Sequence, residues 1–158
     1  MLNRSFLIRK MTLQDLNEIM VIENDSFSLP WSRQSYEAEL QNQYANYLVC
    51  DYQGDVAAYV GMWAVFEDAH ITNVAVARHY RRMGMGRALM LEEEKLALAK
   101  QASRILLEVR PSNLAAQTMY RKLGYVPTSL RKHYYSDNQE DAIIMTKYLK
   151  PVELKKMS

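Results

Sequence analysis

The chain of 158 residues balances 20 lysines and arginines against 18 aspartates and glutamates, and its net charge of +2 is too small to mark a nucleic-acid binder. Its 49% hydrophobic and 24% charged residues fit a single folded domain over 1–150 with a short basic tail at 151–158. The one cysteine, Cys50, excludes an internal disulfide, the three histidines lack metal-ligand spacing, and no run approaches the ~20 apolar residues of a membrane span.

In chain order, SFLIRKM reads as a first strand. Thr12, three residues before Asp15, can open a helix whose apolar residues Leu13, Leu16, Ile19, Met20 and Phe27 recur at helical spacing. LPWS interrupts it at Pro30, and Ser32 can cap a second helix through Leu40. YLVCDY, the turn QGD and VAAYVGMWAVF compose a hairpin in which Cys50 reads as core rather than nucleophile. AHITNVAVA is a further strand. A helix of roughly 15 to 18 residues follows, ending near Ala102, with Met85, Leu89, Leu96 and Ala99 as its apolar stripe. Glu92 interrupts that stripe, and EEEK reads as a solvated face. RILLEV is a short buried strand, NLAAQTMYRKL a helix stopped by Gly124, and YVPTSLR and DAIIMTKYL two closing strands. Hairpins first and strand–helix–strand later imply a mixed sheet with helices on its faces. MLNRSFLIRK has neither a long apolar stretch nor a cleavage site, so no signal peptide and a cytoplasmic home are expected.

Two of the five glycines, Gly84 and Gly86, fall where a strand feeds a helix, in YRRMGMGRAL. Such a turn offers backbone N–H groups and the positive end of a helix dipole to an anion. A nucleoside-triphosphate loop needs Gly-Lys-Ser/Thr, but Arg87 and Ala88 follow Gly86; a dinucleotide fingerprint needs a third glycine where Leu89 stands. What remains is Arg81-x-x-Gly84-x-Gly86, with Arg82 and Arg87 adding positive charge, which suits a pyrophosphate. A tight helix entry is the alternative.

Arg-x-x-Gly-x-Gly after an apolar strand resembles the acetyl-coenzyme A signature of the GCN5-related N-acetyltransferases. The resemblance runs through FLIRKMTLQDL, VAVARHYRRMGMGRAL, LLEVRPSNLAAQTMYRKLGY and RKHYYSDNQEDAIIM. The last two segments, and LPWS, resemble the bacterial RimI-type branch, which acetylates the N-terminal alanine of a small-subunit ribosomal protein. The implied fold is α/β (α+β), the GNAT fold: a mixed, mostly antiparallel sheet of about seven strands, about four helices on its faces, and a splayed strand pair holding the cofactor. The implied partners are acetyl-coenzyme A, without a metal, and a protein N-terminus, in a monomer or weak dimer.

Acetyl transfer to an amine needs a neutral amine, a site for the developing oxyanion, a proton for the departing thiolate, and both substrates held together. Strict alternation in RILLEVR puts Leu106, Glu108 and Arg110 on one face; Glu108 is either a partly desolvated base or a surface group paired with Arg110. The resemblance makes it the proton acceptor, through water. Tyr120 is either core or, as the resemblance implies, the thiolate-protonating acid in MYRKLGY. Asn113 caps its helix, and the resemblance adds a cofactor contact. The resemblance also places the pantetheine arm and thioester carbonyl on backbone amides of Val74, Ala75 and Val76. It places the diphosphate on the loop of Arg81, Arg82, Met83, Gly84, Met85, Gly86 and Arg87. Tyr134 and Tyr135 resemble a pair that grips a peptide backbone, though a plain hairpin tip fits too. Trp31 and Tyr36 are candidates for the opposite wall, or Trp31 anchors helix packing. Glu67, Asp68, Asp137, Glu140 and Asp141 offer charge for a basic acceptor tail. A lysine or small-molecule amine as acceptor, or a non-catalytic coenzyme A-binding module, are the rival readings.

Overall fold

In the computed structural model, which describes residues 5–150, the QGD turn reverses the chain through two left-handed residues, Gln53 at φ 53° and Gly54 at φ 96°. Two such residues match the right-handed twist of the strands they join, and Asp51 closes the turn by accepting from the Gly54 N–H at 2.9 Å. The turn pairs β2 (Ala45–Tyr52) with β3 (Asp55–Val65), and β1 (Leu7–Lys10) adds to the other edge of β2. Leu48–Cys50 and Val56–Met62 are buried without alternation, as strands covered on both faces are.

β4 (Asp68–Val76), β5 (Arg104–Val109), β6 (Val126–Arg131) and β7 (Ala142–Tyr148) complete one seven-stranded sheet in the order β1-β2-β3-β4-β5-β7-β6. Its ladders β1–β2, β2–β3, β5–β7 and β6–β7 are antiparallel, and β4–β5 is parallel. β6 is exposed along its whole length and carries Pro127, consistent with its place at a sheet edge. The chain packs as two compact units. One is built from the segment up to Trp63 with Thr72–Glu93, the other from Ala64–Ile71 with Glu94 onward. The basic tail at 151–158 lies outside the described residues.

Among the described residues four α-helices accompany the sheet: α1 (Leu16–Ser26), α2 (Arg33–Leu40), α3 (Met85–Ala99) and α4 (Leu114–Lys122). Ser32 caps α2 as expected, its hydroxyl accepting from the Ser35 N–H at 3.1 Å. Before α1, residues Leu13–Asp15 form a single 3-10 turn, which leaves Leu13 49% exposed instead of on the apolar face expected of it. Gly124, at φ 102°, ends α4.

The apolar stripe of α3 runs differently from the sequence expectation. Met85, Leu89, Glu93 and Ala97 form a buried seam at four-residue intervals, with Met90 beside it, while Ala99 is exposed. Glu93 therefore points into the interior from within EEEK, where a solvated face was expected. Its two carboxyl oxygens have no hydrogen-bond partner among the described residues, and burial, aided by Glu92, pushes its pKa up to about 9.

Candidate active site

In the first unit, β4 leads through a 3-10 turn (Arg78–Tyr80) into the glycine loop. Arg81 donates from Nε to the Val76 carbonyl at 3.1 Å, tying the loop back to the strand. Arg82 at φ 67° and Gly84 at φ 81° are both left-handed, and the Ala88 N–H already bonds the Gly84 carbonyl at 3.0 Å. A Cβ built on Gly84 meets nothing within 4 Å, so this glycine is needed for its backbone angle, and it leaves open space above the loop. Two left-handed residues just ahead of a fifteen-residue helix, beside the free N–H groups that a helix N-terminus carries, are an arrangement suited to a phosphate. Met83, Met85, Gly86 and Arg87 complete this segment, with Arg81, Arg82 and Arg87 exposed.

Val74, Ala75 and Val76 lie beyond the β4–β5 ladder, which among the described residues pairs Asp68–His70 with Arg104–Leu106. Trp31 is half-buried, its ring 5.3 Å from that of Tyr36. Tyr36 itself is a correction: it is 0% exposed and sits in the core, its hydroxyl bonded to Glu23, so it forms no wall for a substrate.

In the second unit, Glu108 alternates outward from the buried Ile105, Leu107 and Val109, as expected. Its partner is not Arg110. His70 Nε2 lies 2.8 and 3.0 Å from the two Glu108 oxygens. The parallel register sets His70 beside Leu106, two residues from Glu108 on the same face of β5. Nothing along the chain announces this pair, because 38 residues separate its members and strand register alone joins them.

Arg110 turns to the β6–β7 loop instead. It donates to Asp137 at 2.9 Å, to Asn138 at 3.1 Å and to Glu140 at 3.2 Å, and its guanidinium lies 3.9 Å over the Tyr135 ring. Tyr134 packs edge-on against Tyr135 at 4.9 Å and is 45% exposed. Most of the acidic residues expected to attract a basic tail are thus spoken for: Asp68 pairs with Arg104, Asp137 and Glu140 with Arg110, and Asp141 accepts from the His133 N–H.

Asn113 caps α4 as expected, its Oδ1 accepting from the Ala116 N–H at 3.1 Å. Gln117 braces the segment before it by donating to the Arg110 and Pro111 carbonyls. Tyr120 is 6% exposed; burial, with Tyr135 adding to it, pushes its phenol up to about 12. Tyr135 is pushed up to about 12 as well, by burial that Arg110 partly offsets. Cys50, fully buried with its thiol pushed up to about 12, is unfit as a nucleophile.

Residues 16–125, which hold the glycine loop, Glu108 and Tyr120, match the model of the Acetyltransferase (GNAT) family. The chain belongs to the GNAT family. It is an acetyl-transferring enzyme, and the family's acetyl donor is acetyl-coenzyme A. It is 45% identical over 139 residues to a Bacillus subtilis (strain 168) protein named provisionally as a [ribosomal protein bS18]-alanine N-acetyltransferase, covering 87% of this chain and 92% of that one. It is 35% identical over 144 residues to the Escherichia coli (strain K12) protein of that name, covering 87% and 94%. The crystal structure of the Escherichia coli ribosomal-protein-S18-alanine N-acetyltransferase superposes with a TM-score of 0.87 at 29% identity, over 98% of this chain and all of that one.

Proposed function

We propose that this GNAT enzyme acetylates the N-terminal α-amine of a ribosomal protein, the alanine of small-subunit protein bS18. Its likeness, over 87% of its length, to relatives named for that reaction carries the reading. The glycine loop supports a place for the coenzyme A diphosphate: left-handed Arg82 and Gly84, open space over Gly84 and the first N–H groups of α3 fit such an anion. In this reading Arg81, Met83, Met85, Gly86 and Arg87 surround it, Asn113 adds a contact, and the amides of Val74, Ala75 and Val76 take the pantetheine arm and thioester carbonyl.

The donor supplies an activated acyl carbon; this chain's side chains handle protons. An α-ammonium has a pKa of about 8, so a modest base suffices at neutral pH. Glu108 accepts that proton, directly or through water. His70 donates from Nε2 across both Glu108 oxygens, which keeps the carboxylate in one orientation. Tyr120 retains its proton throughout the neutral range and is therefore a donor. A phenol near 12 is a weaker acid than a thiol at about 8.5, so Tyr120 assists best by hydrogen-bonding the departing sulfur before any full transfer. Tyr134 and Tyr135, braced by Arg110, present aromatic and hydroxyl surface to the acceptor backbone.

A panel of peptides that differ in their first residue, with lysine and polyamines alongside, tests this by release of free thiol. Turnover concentrated on alanine-first peptides is expected. Turnover on the free amines alone would overturn the reading.

A further inference from the structure

Glu23, on α1, is 1% exposed. Its Oε1 accepts from the Tyr36 hydroxyl at 2.6 Å and the Tyr59 hydroxyl at 2.5 Å, and its Oε2 accepts from the Trp31 backbone N–H at 2.9 Å. All three donors are neutral. The bonding continues across the first unit: Asn73 donates to the Tyr36 hydroxyl, and the Thr72 hydroxyl donates to Asn73 at 3.0 Å. The Tyr47 hydroxyl lies 3.0 Å from that of Thr72 and donates to Glu39 at 2.8 Å, which the Trp63 indole also reaches at 2.6 Å. Gly61 makes the room, since a Cβ there would collide with the Tyr47 ring and come within 2.6 Å of Thr72 Oγ1.

Stability alone is a poor reason for such an arrangement. A buried carboxylate held by neutral donors barely recovers its desolvation cost, and a well-packed apolar side chain would serve the core as well. What the carboxylate adds is direction. The link from Phe27 to Ser32 between α1 and α2 is irregular, and Leu29 and Pro30 on it are exposed, Leu29 by 48%. Glu23 bonds that link through the Trp31 N–H, bonds β3 through Tyr59, and bonds β4 through Tyr36 and Asn73. An apolar side chain could fill the space but could not fix the angle of the Trp31 peptide.

We propose that Glu23 is a positioning residue for the acceptor: by clamping the α1–α2 link to β3 and β4 it fixes the Leu29–Trp31 rim that receives the first residues of the acceptor peptide. This rests on the reading of a peptide N-terminus as substrate. Glu23→Gln keeps the shape but turns one acceptor into a donor, so a tyrosine hydroxyl or the Trp31 N–H loses its partner. The expected result is a KM for an alanine-first peptide raised ~10-fold, with the KM for acetyl-coenzyme A unchanged and kcat falling by less. In a Trp63→Phe background, Trp31 emission becomes more accessible to acrylamide. Unchanged peptide KM and unchanged quenching overturn the proposal, as does a uniform loss of every parameter in step with lost folded protein. If Glu23→Gln does not fold, Tyr59→Phe removes a single donor and gives the same pattern at ~3-fold; no change in peptide KM there overturns the proposal equally. Should the unmodified enzyme acetylate no peptide, the peptide reading fails, and Trp31 quenching alone decides whether Glu23 holds the rim.

Discussion

Helix α1 buries Glu23 at 1% exposure and helix α3 buries Glu93 at 0%, but the interior around them is built differently. Glu23 faces two phenols and a backbone N–H, so the fold supplies in dry surroundings some of what water would. Glu93 faces no partner among the described residues and is held neutral by burial, its pKa raised to about 9. Glu108, on β5, is a third case, with a side chain 16% exposed and bonded to His70. Burial by itself thus says little about what a carboxyl group does. The donors around it decide whether it orients a segment, accepts a proton or only weakens the fold.

The largest effect should come from the most exposed of the three. Glu108→Gln is expected to lower turnover by ~10²–10⁴ with little change in melting temperature, while calorimetric titration shows acetyl-coenzyme A binding as before. Wild-type turnover in that variant removes Glu108 as the base.

Glu93 should move stability instead. Because its folded pKa of about 9 lies above the ordinary 4.5, the folded chain binds this proton more tightly than the unfolded chain. Its contribution to stability is therefore complete below 4.5 and declines as pH rises toward 9, by up to about 1.4 kcal/mol per pH unit in that window. Glu93→Met is expected to stabilise the protein by ~1–3 kcal/mol at pH 8 and to flatten this decline, read by urea unfolding across pH. An unchanged pH slope would show that Glu93 is satisfied in solution.

The smallest effect concerns another buried group without charge. Cys50, its thiol pushed up to about 12 by burial, is expected to react with a thiol reagent at pH 8 only as fast as the fold opens. Rapid labelling of the native protein would place β2 nearer to solvent than its 0% exposure indicates.

Much of this architecture was legible along the chain. Ser32 as cap, the left-handed turn at Gly54, the alternation that faces Glu108 outward and the glycine before α3 all follow from constraints that act within a few residues. So does the Arg-x-x-Gly-x-Gly spacing at residues 81–86 on which the family resemblance rests. The misreadings share one cause. The spacing around Leu13, the charge run around Glu93 and the resemblance at Tyr36 each describe one short segment, and none of them says where that segment presses against others.

Constraints acting within a few residues therefore suffice for the order of elements, the glycine turn ahead of α3 and the face of β5 that bears Glu108, because those depend on local backbone geometry. Packing between elements, by contrast, makes His70 the partner of Glu108, gives Arg110 to the β6–β7 loop and gathers Tyr36, Tyr59 and Trp31 around Glu23. Such pairings join groups up to 38 residues apart, and strand register and helix docking set them rather than any spacing along the chain.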